Sequence, residues 1–423
     1  MATPTADSYT AASGATVRGG RNAPAVSTPP ATYALVGDSL TAWGAPDLWM
    51  NGMAGGKLKR LVNAGWGGDF VAWVLARIDN NYQTAGAPGL AGLPEPLGYC
   101  ILRIGTNNAR AGASLDDATK ANYQALFTKC LNYAQILIVL PVPPVYGYEA
   151  TIATWNVWLA QQCAQNQRMV WIDDCANMLL PDGTQNPAYF KSDRVHWSIC
   201  GLYEAARTGL SAFQSLIAPY GYSSPLSADP ADVYPATQQW FSNPANTGSN
   251  TQGAPLSGQI VNGWNIIQTP SGFAGSTSIV AADVGDPIAA PWQRVTLTST
   301  PAAGSNPITM RSTLLGRTIT DSDPATMRHI AQFRFNNCNP AAIGGVHLYM
   351  QGASTSQRPQ QLDLQFGGWD GGLVSRSVTI NVQEQRKFMT AESSYRLLYE
   401  IDTYAAASGV LGSIDMRCIN IRG

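Results

Sequence analysis

Two hydrophobic periods share this chain, and the place where one gives way to the other constrains its fold more than any other feature. Up to about residue 218, short runs that are apolar at nearly every position alternate with stretches whose apolar residues recur at helical spacing. The strand-like runs are "TYALVGD" (32–38), "LKRLVNAG" (58–65), "YCILRIGTNN" (99–108), "AQILIVLPVPP" (134–144) and "RMVWID" (168–173). Between them lie helical patterns. In "DFVAWVLARIDNNY", Phe70, Val74 and Ile78 share a face behind Asp69 as N-cap. "SLDDATKANYQALFTKCLNY" opens at Ser114 with Asp117 three residues on, a capping-box-like start. A Trp-containing helix over about 151–166 follows, and "GLYEAARTGLSAFQSLI" closes the series. Strands that are apolar on both sides and alternate with helices predict an α/β domain, a parallel sheet covered on both faces.

Past the Pro- and Tyr-rich stretch 218–240 the period falls to two. In "YRLLYEI", Tyr395, Leu397, Tyr399 and Ile401 fall on one face; "SVTINV" and "QLDLQF" alternate likewise. The C-terminal "SIDMRCINIRG" slips phase at Ile419, which predicts either a β-bulge near Cys418 or a strand buried on both sides. Half-buried strands joined by Gly/Ser/Pro turns predict an all-β sandwich, jelly-roll-like in outline. The expected organisation is an arm over 1–30, rich in Ala, Thr, Ser, Gly and Pro, an α/β domain over 31–220, a linker over 221–240 and the sandwich over 241–423. A length of 423 residues accommodates two domains.

Composition narrows the partners. With a formal net charge of −1 and no basic run, the chain is a poor ligand for nucleic acid or an anionic membrane surface. No stretch is long and apolar enough to span a bilayer. The first 20 residues lack the basic and apolar segments of a signal peptide, so location stays open. The seven cysteines form no CxxC or Cys/His cluster, which speaks against structural zinc.

Chemistry gathers at the ends of the strand-like runs. Ser39 follows the first, behind Gly37 and Asp38; alone, Gly-Asp-Ser is ordinary turn chemistry. A serine nucleophile needs a base, and His196 is the only histidine of the first 220 residues. Asp193 stands three residues before it in "SDRVHWSICG", near enough on a turn to reach a ring nitrogen and fix its tautomer. An oxyanion needs donors. Gly68, in "NAGWGGDF", follows the second run, and Asn107, in "GTNN", follows the third. Loops at the carboxyl edge of an open α/β sheet are where such domains keep their sites.

Taken together, these residues resemble the SGNH, or GDSL, hydrolase family. Gly37-Asp38-Ser39-Leu40 matches its first block, Gly68 its second-block glycine, Gly105-Thr106-Asn107 its third and Asp193 to His196 its fifth, in the correct order. The resemblance implies a three-layer, flavodoxin-like α/β/α domain and acyl transfer to water through an acyl-enzyme. Ser39 is then the nucleophile, His196 the base and Asp193 its orienting acid. The Ser39 and Gly68 amides and the Asn107 side chain form the oxyanion hole, and neither metal nor organic cofactor is required. Asn108 departs from the family's usual Asp, which puts the support of the serine loop in question.

The family hosts lipases, thioesterases and carbohydrate esterases alike. Trp43, Trp66 and Trp197 lie near the blocks, where flat rings would pack on sugar, and no amphipathic lid interrupts the domain. A jelly-roll-like sandwich appended to such an enzyme resembles a carbohydrate-binding module, with Trp264, Trp292 or Trp369 as stacking candidates. The expectation is therefore a serine esterase acting on O-acetyl groups of a polysaccharide. A lipase or thioesterase, or a non-catalytic glycan- or receptor-binding protein, is the alternative. Low charge, the arm and the sandwich are also in the style of a bacteriophage tail esterase, with the arm serving oligomerisation or virion attachment.

Overall fold

A computed structural model describes residues 28–42, 46–84 and 87–221, with 9–10 and 16–17 before them; after them come 256–260, 264–268, 271–284, 291–302, 307–312, 328–352, 360–366, 372–383 and 395–422. The chain divides into two compact units, Met1–Gly221 and Tyr222–Gly423. Nearly all of the expected arm and linker, and Trp43 and Trp369 with them, lie outside the described residues.

The first unit is a parallel α/β sheet. Its strands are β1 (Thr32–Gly37), β2 (Lys59–Gly65), β3 (Leu97–Arg103), β4 (Ala134–Val139) and β5 (Met169–Trp171), in the order β5-β4-β3-β1-β2 and parallel throughout. The order reverses between β1 and β3, the topological switch point at which open α/β sheets bind ligands. The helices are α1 (Ser39–Ala42), α2 (Asp47–Met53), α3 (Val71–Arg77), α4 (Thr106–Arg110), α5 (Asp117–Tyr133), α6 (Glu149–Gln165) and α7 (Ile199–Leu216). Every residue of β1 and β3 is buried, as strands covered on both sides must be.

Two caps differ from expectation. Asp69 does not cap α3: Phe70 takes that place, and the Asp69 carboxylate turns inward to Arg77. Val71, one position after Phe70, joins Val74 and Ile78 in the core instead. The cap of α5 is Asp116, whose side chain accepts from the Thr119 amide at 2.7 Å, two residues after the expected Ser114. At α5 Ser114, Asp116 and Asp117 all offer a capping oxygen and packing chooses among them, whereas at α3 the one candidate, Asp69, is drawn away by Arg77.

The second unit is all-β. One sheet runs in the order 374–383, 328–338, 413–422, 292–300, 274–280, 256–258, antiparallel except for its last, parallel pair. The other runs 360–365, 343–352, 395–403, 308–312, 264–268, antiparallel throughout. The sheets meet through aromatic rings: Phe333 stacks on Tyr399 with centroids 5.7 Å apart, and Phe335 meets Phe366 edge-on at 5.0 Å.

The phase slip at the C-terminus is a bulge. Gln332 pairs with Arg417 and Ile330 with Asn420, so Cys418 and Ile419 together face the single residue Ala331. The opposite face is not polar surface. Asp415 and Arg417 are as buried as Ile414 and Met416; Asp415 is held by Arg294 and Arg334, and the Arg417 guanidinium lies 3.9 Å from the Trp292 ring centroid. In the 395–403 strand, Leu398 and Glu400 are buried along with Tyr399 and Ile401, so alternation there marks two covered faces rather than one.

Candidate active site

Ser39 opens α1 immediately behind β1, and the turn is too tight for any side chain at position 37. A Cβ on Gly37 would lie 2.2 Å from both the Arg103 carbonyl and Thr41 Oγ1. The loop is closed by Asp38, whose Oδ1 accepts from the Leu40 amide at 3.0 Å and whose carbonyl accepts from the Thr41 and Ala42 amides. Asp38 is fully buried, and its Oδ2 has no hydrogen-bond partner among the described residues. Burial pushes its carboxyl up to about 6, against the opposing pull of the Leu40 amide and Arg103.

His196 reaches Ser39 from a turn 157 residues further along. Its Nε2 lies 2.8 Å from Ser39 Oγ, and its Nδ1 lies 2.6 Å from Asp193 Oδ2. Asp193 also builds the turn that carries the histidine: Oδ1 accepts from the Val195 and His196 amides, each at 2.9 Å. Partial burial works to raise the Asp193 carboxyl, but the His196 ring and the two amides outweigh it and bring it down to about 2. It is therefore ionised across the working range and holds the histidine with Nδ1 protonated and Nε2 free to accept.

Arg194, inside this turn, has left-handed backbone at φ 57°, a strained conformation for a long side chain. Gln185 holds it there. The buried Gln185 amide donates to the carbonyls of Arg194 (2.9 Å) and Pro144 (2.6 Å), while its oxygen accepts from Arg194 Nε at 2.8 Å. Nothing in the sequence marks Gln185; only its burial and three tertiary bonds do.

The loop of Gly68 and Asp69 is tied to the serine strand through one arginine. Arg77, buried, donates to Asp69 Oδ2 at 2.6 Å, to the Pro88 carbonyl at 2.7 Å and to the Gly37 carbonyl at 3.0 Å. Asn107 Nδ2 donates to the Asp69 carbonyl at 2.9 Å, which fixes the side-chain amide and leaves its second hydrogen for an acceptor at the site. Gly68 adopts φ +85° with open space where a Cβ would stand, so its requirement for glycine is conformational. The departure at Asn108 carries its own support: Oδ1 accepts from the Val71 amide at 3.0 Å at the start of α3, a bond that needs an oxygen but no charge.

A second buried ion pair lies under the site. Arg103, at the end of β3, pairs with Asp174 and donates to the Pro141 carbonyl at 2.9 Å. The Asp174 carboxylate is thereby held in an ion pair, and its neighbour Asp173 accepts from the Cys175 amide at 3.1 Å.

The tryptophans divide. Trp66 is 44% exposed beside the serine loop, whereas Trp197 is 4% exposed, stacks on Phe190 at 5.4 Å and packs against Leu40 and Met178. The assignment of Trp197 to substrate contact is thereby corrected: its ring is core, under an arginine guanidinium 5.3 Å away. Trp264 and Trp292, offered as sugar platforms in the second unit, are buried too. Among the described residues no three His, Cys, Asp or Glu gather as metal ligands, and no helix is long and apolar enough to cross a membrane.

Residues 35–200 match the model of the GDSL-like Lipase/Acylhydrolase family, so the first unit carries a domain of that family. No curated protein matches the sequence. Among solved structures, the chain is similar to a carbohydrate esterase family 3 protein from Talaromyces cellulolyticus, at 16% identity and TM-score 0.36, over 45% of this chain and 99% of that one. It is similar to a lipase/acylhydrolase from Enterococcus faecalis at 17% identity and TM-score 0.34, over 46% and 98%. A GDSL-like lipase from Bacteroides thetaiotaomicron is similar at 16% and TM-score 0.34, over 46% and 93%.

Proposed function

We propose that this protein is a serine esterase that removes short acyl groups, acetyl above all, from a polysaccharide. The observation that carries the reading is the unbroken hydrogen-bonded series from Asp193 through His196 to Ser39 Oγ, at 2.6 and 2.8 Å. In the proposed reaction Ser39 Oγ attacks the ester carbonyl as its proton passes to His196 Nε2. The tetrahedral oxyanion is received by the Ser39 and Gly68 amides and the Asn107 side chain. His196 then protonates the departing sugar oxygen, leaving an acetyl-serine. Water, deprotonated by the same histidine, attacks that ester and releases acetate.

Support for a short acyl group on a polar alcohol comes from the cavity of about 510 Å³ that adjoins Asn107 and Asp193. Its lining includes the charged groups of Arg110, Arg194 and Asp193, which a long alkyl chain would desolvate at a cost. Hydrolysis of 4-nitrophenyl acetate, 4-nitrophenyl palmitate and an acetylated polysaccharide by the full chain tests the reading, with a fluorophosphonate as label for the nucleophile. Turnover of the acetyl substrates and labelling, both abolished in Ser39→Ala, are expected. Preference for palmitate returns the lipase alternative. A protein that neither turns over any ester nor labels is a binding protein on a hydrolase fold.

A further inference from the structure

In the proposed reaction the carbonyl oxygen lies in the oxyanion hole and the sugar beside it, and the cavity at Asn107 and Asp193 is also lined by residues that hydrolysis itself does not use. Arg110 stands one helical turn after Asn107 on α4, so the two side chains share a face about 5–6 Å apart at Cβ. Arg110 is exposed, and no described carboxylate pairs with it. Arg194, on the turn between Asp193 and His196, lines the same cavity. Its guanidinium lies 4.7 Å from the ring centroid of Tyr146, itself 61% exposed.

Two features set this apart from ordinary surface charge. Arg194 is fixed at both backbone and side chain by the buried Gln185, at a cost in backbone strain, so its guanidinium is held in place before any ligand arrives. Two guanidiniums against one carboxylate, Asp193, leave the lining with a single excess positive charge. That balance fits a monoanion; a dianionic phosphate would meet the Asp193 carboxylate less favourably. The planar fork of an arginine also matches a carboxylate's two oxygens. Phe70, Tyr146 and Tyr148 add flat apolar faces of the kind on which a sugar ring rests.

We propose that this cavity is a subsite for a carboxylate-bearing sugar, recognised by Arg110 and Arg194, so that the ester cleaved at Ser39 is carried by an acidic polysaccharide. The proposal rests on the esterase reading for its reaction but not for its binding, which allows the two to be tested apart.

Isothermal titration calorimetry on the full chain measures binding of an unacetylated oligouronide and an oligosialoside, each beside its methyl ester. At least one acid should bind about tenfold or more tightly than its ester, the scale of one charge-assisted hydrogen bond, and should weaken as salt rises from 0.05 to 0.5 M. Which acid does so distinguishes a uronic from a nonulosonic sugar. Arg110→Gln should cut the acid's advantage over its ester about threefold or more, with Arg194 keeping the remainder, and Arg110→Lys, which keeps the charge and loses the fork, should fall between. Equal affinities in the unaltered chain, binding by neither acid, or a preference undiminished in Arg110→Gln overturns the proposal. Turnover of 4-nitrophenyl acetate, which bears no carboxylate, is read alongside: its absence overturns the esterase reading while leaving the binding result intact.

Discussion

Two aspartates flank Ser39, one on the solvent side and one beneath, and their surroundings drive them in opposite directions. Asp193 is about half exposed, accepts three hydrogen bonds and is held at about 2. Asp38 is fully buried, accepts one amide bond through Oδ1 with no close partner for Oδ2 among the described residues, and is raised to about 6 against the pull of the Leu40 amide, Arg103 and Thr106. The same carboxyl group is thus a dependable anion that orients a histidine in one place and a loop fastener burdened by its charge in the other. Hydrogen bonds that favour the ionised form decide the first case, and desolvation decides the second. Identity of the side chain predicts neither.

Removing the charge on the solvent side should have the largest effect. Asp193→Asn leaves the shape of the turn but offers His196 a neutral partner, and kcat should fall by about 10⁴, the size of loss typical when this carboxylate is removed from a Ser-His-Asp set. Steady-state kinetics on 4-nitrophenyl acetate, with circular dichroism to check the fold, measures it. A fall below tenfold would separate Asp193 from the histidine's function.

Beneath the site the next effect should appear in stability rather than rate. Arg103→Met strands the fully buried Asp174 carboxylate without its partner, and urea denaturation should register a loss of about 3–5 kcal/mol. Asn107→Ala comes third. It should cost on the order of 10²–10³ in kcat, as when one oxyanion donor is deleted, with KM for a small acetyl ester little changed.

The smallest expected effect is the sharpest test of the contrast. A carboxyl raised in the folded state contributes its stability below the unfolded value, near 3.9, and loses it as pH rises through about 6. Asp193, lowered to about 2, contributes above the ordinary value and loses its contribution as pH falls toward 2. Asp38→Asn removes only the first dependence and keeps an oxygen for the Leu40 amide. Its stability relative to the unaltered chain should therefore improve by up to about 3 kcal/mol between pH 4 and pH 7, at about 1.36 kcal/mol per unit. Denaturation at stepped pH that finds a constant difference would mean Asp38 keeps its ordinary affinity for protons.

Much of the site could be read before any coordinates. Ser39, Asn107, Asp193 and His196 each sit at a position that a local pattern singles out: a strand end, a glycine turn, an i, i+3 pair. Their supporting residues carry no such mark. Gln185 lies nine positions from Arg194 in an unremarkable loop, and Arg77 and Arg103 look like ordinary helix and strand charges. Each becomes legible only as a buried donor whose acceptors come from distant segments, Gly37 and Pro88 for Arg77, Pro141 and Asp174 for Arg103. Trp197 errs the other way. Its closeness in sequence to His196 suggested a surface role, but successive residues on a turn point in different directions, and one of them faces the core.

The sequence by itself determined the class of each half of the chain, because sheet type imposes a period: apolar at every position in the parallel strands of the first half, alternate in the antiparallel strands of the second. For the phase slip near Cys418 it left two readings, a bulge or a strand buried on both sides, and the register and burial of the folded strand show both. Only the tertiary structure decided which charges are buried and what holds them. It made Asp415 and Arg417 interior, raised Asp38, lowered Asp193 and gathered Arg110 and Arg194 around one cavity. The reason is the range of the forces: periodicity records the nearest neighbours along the chain, whereas desolvation and hydrogen bonding depend on every segment that packs around a group.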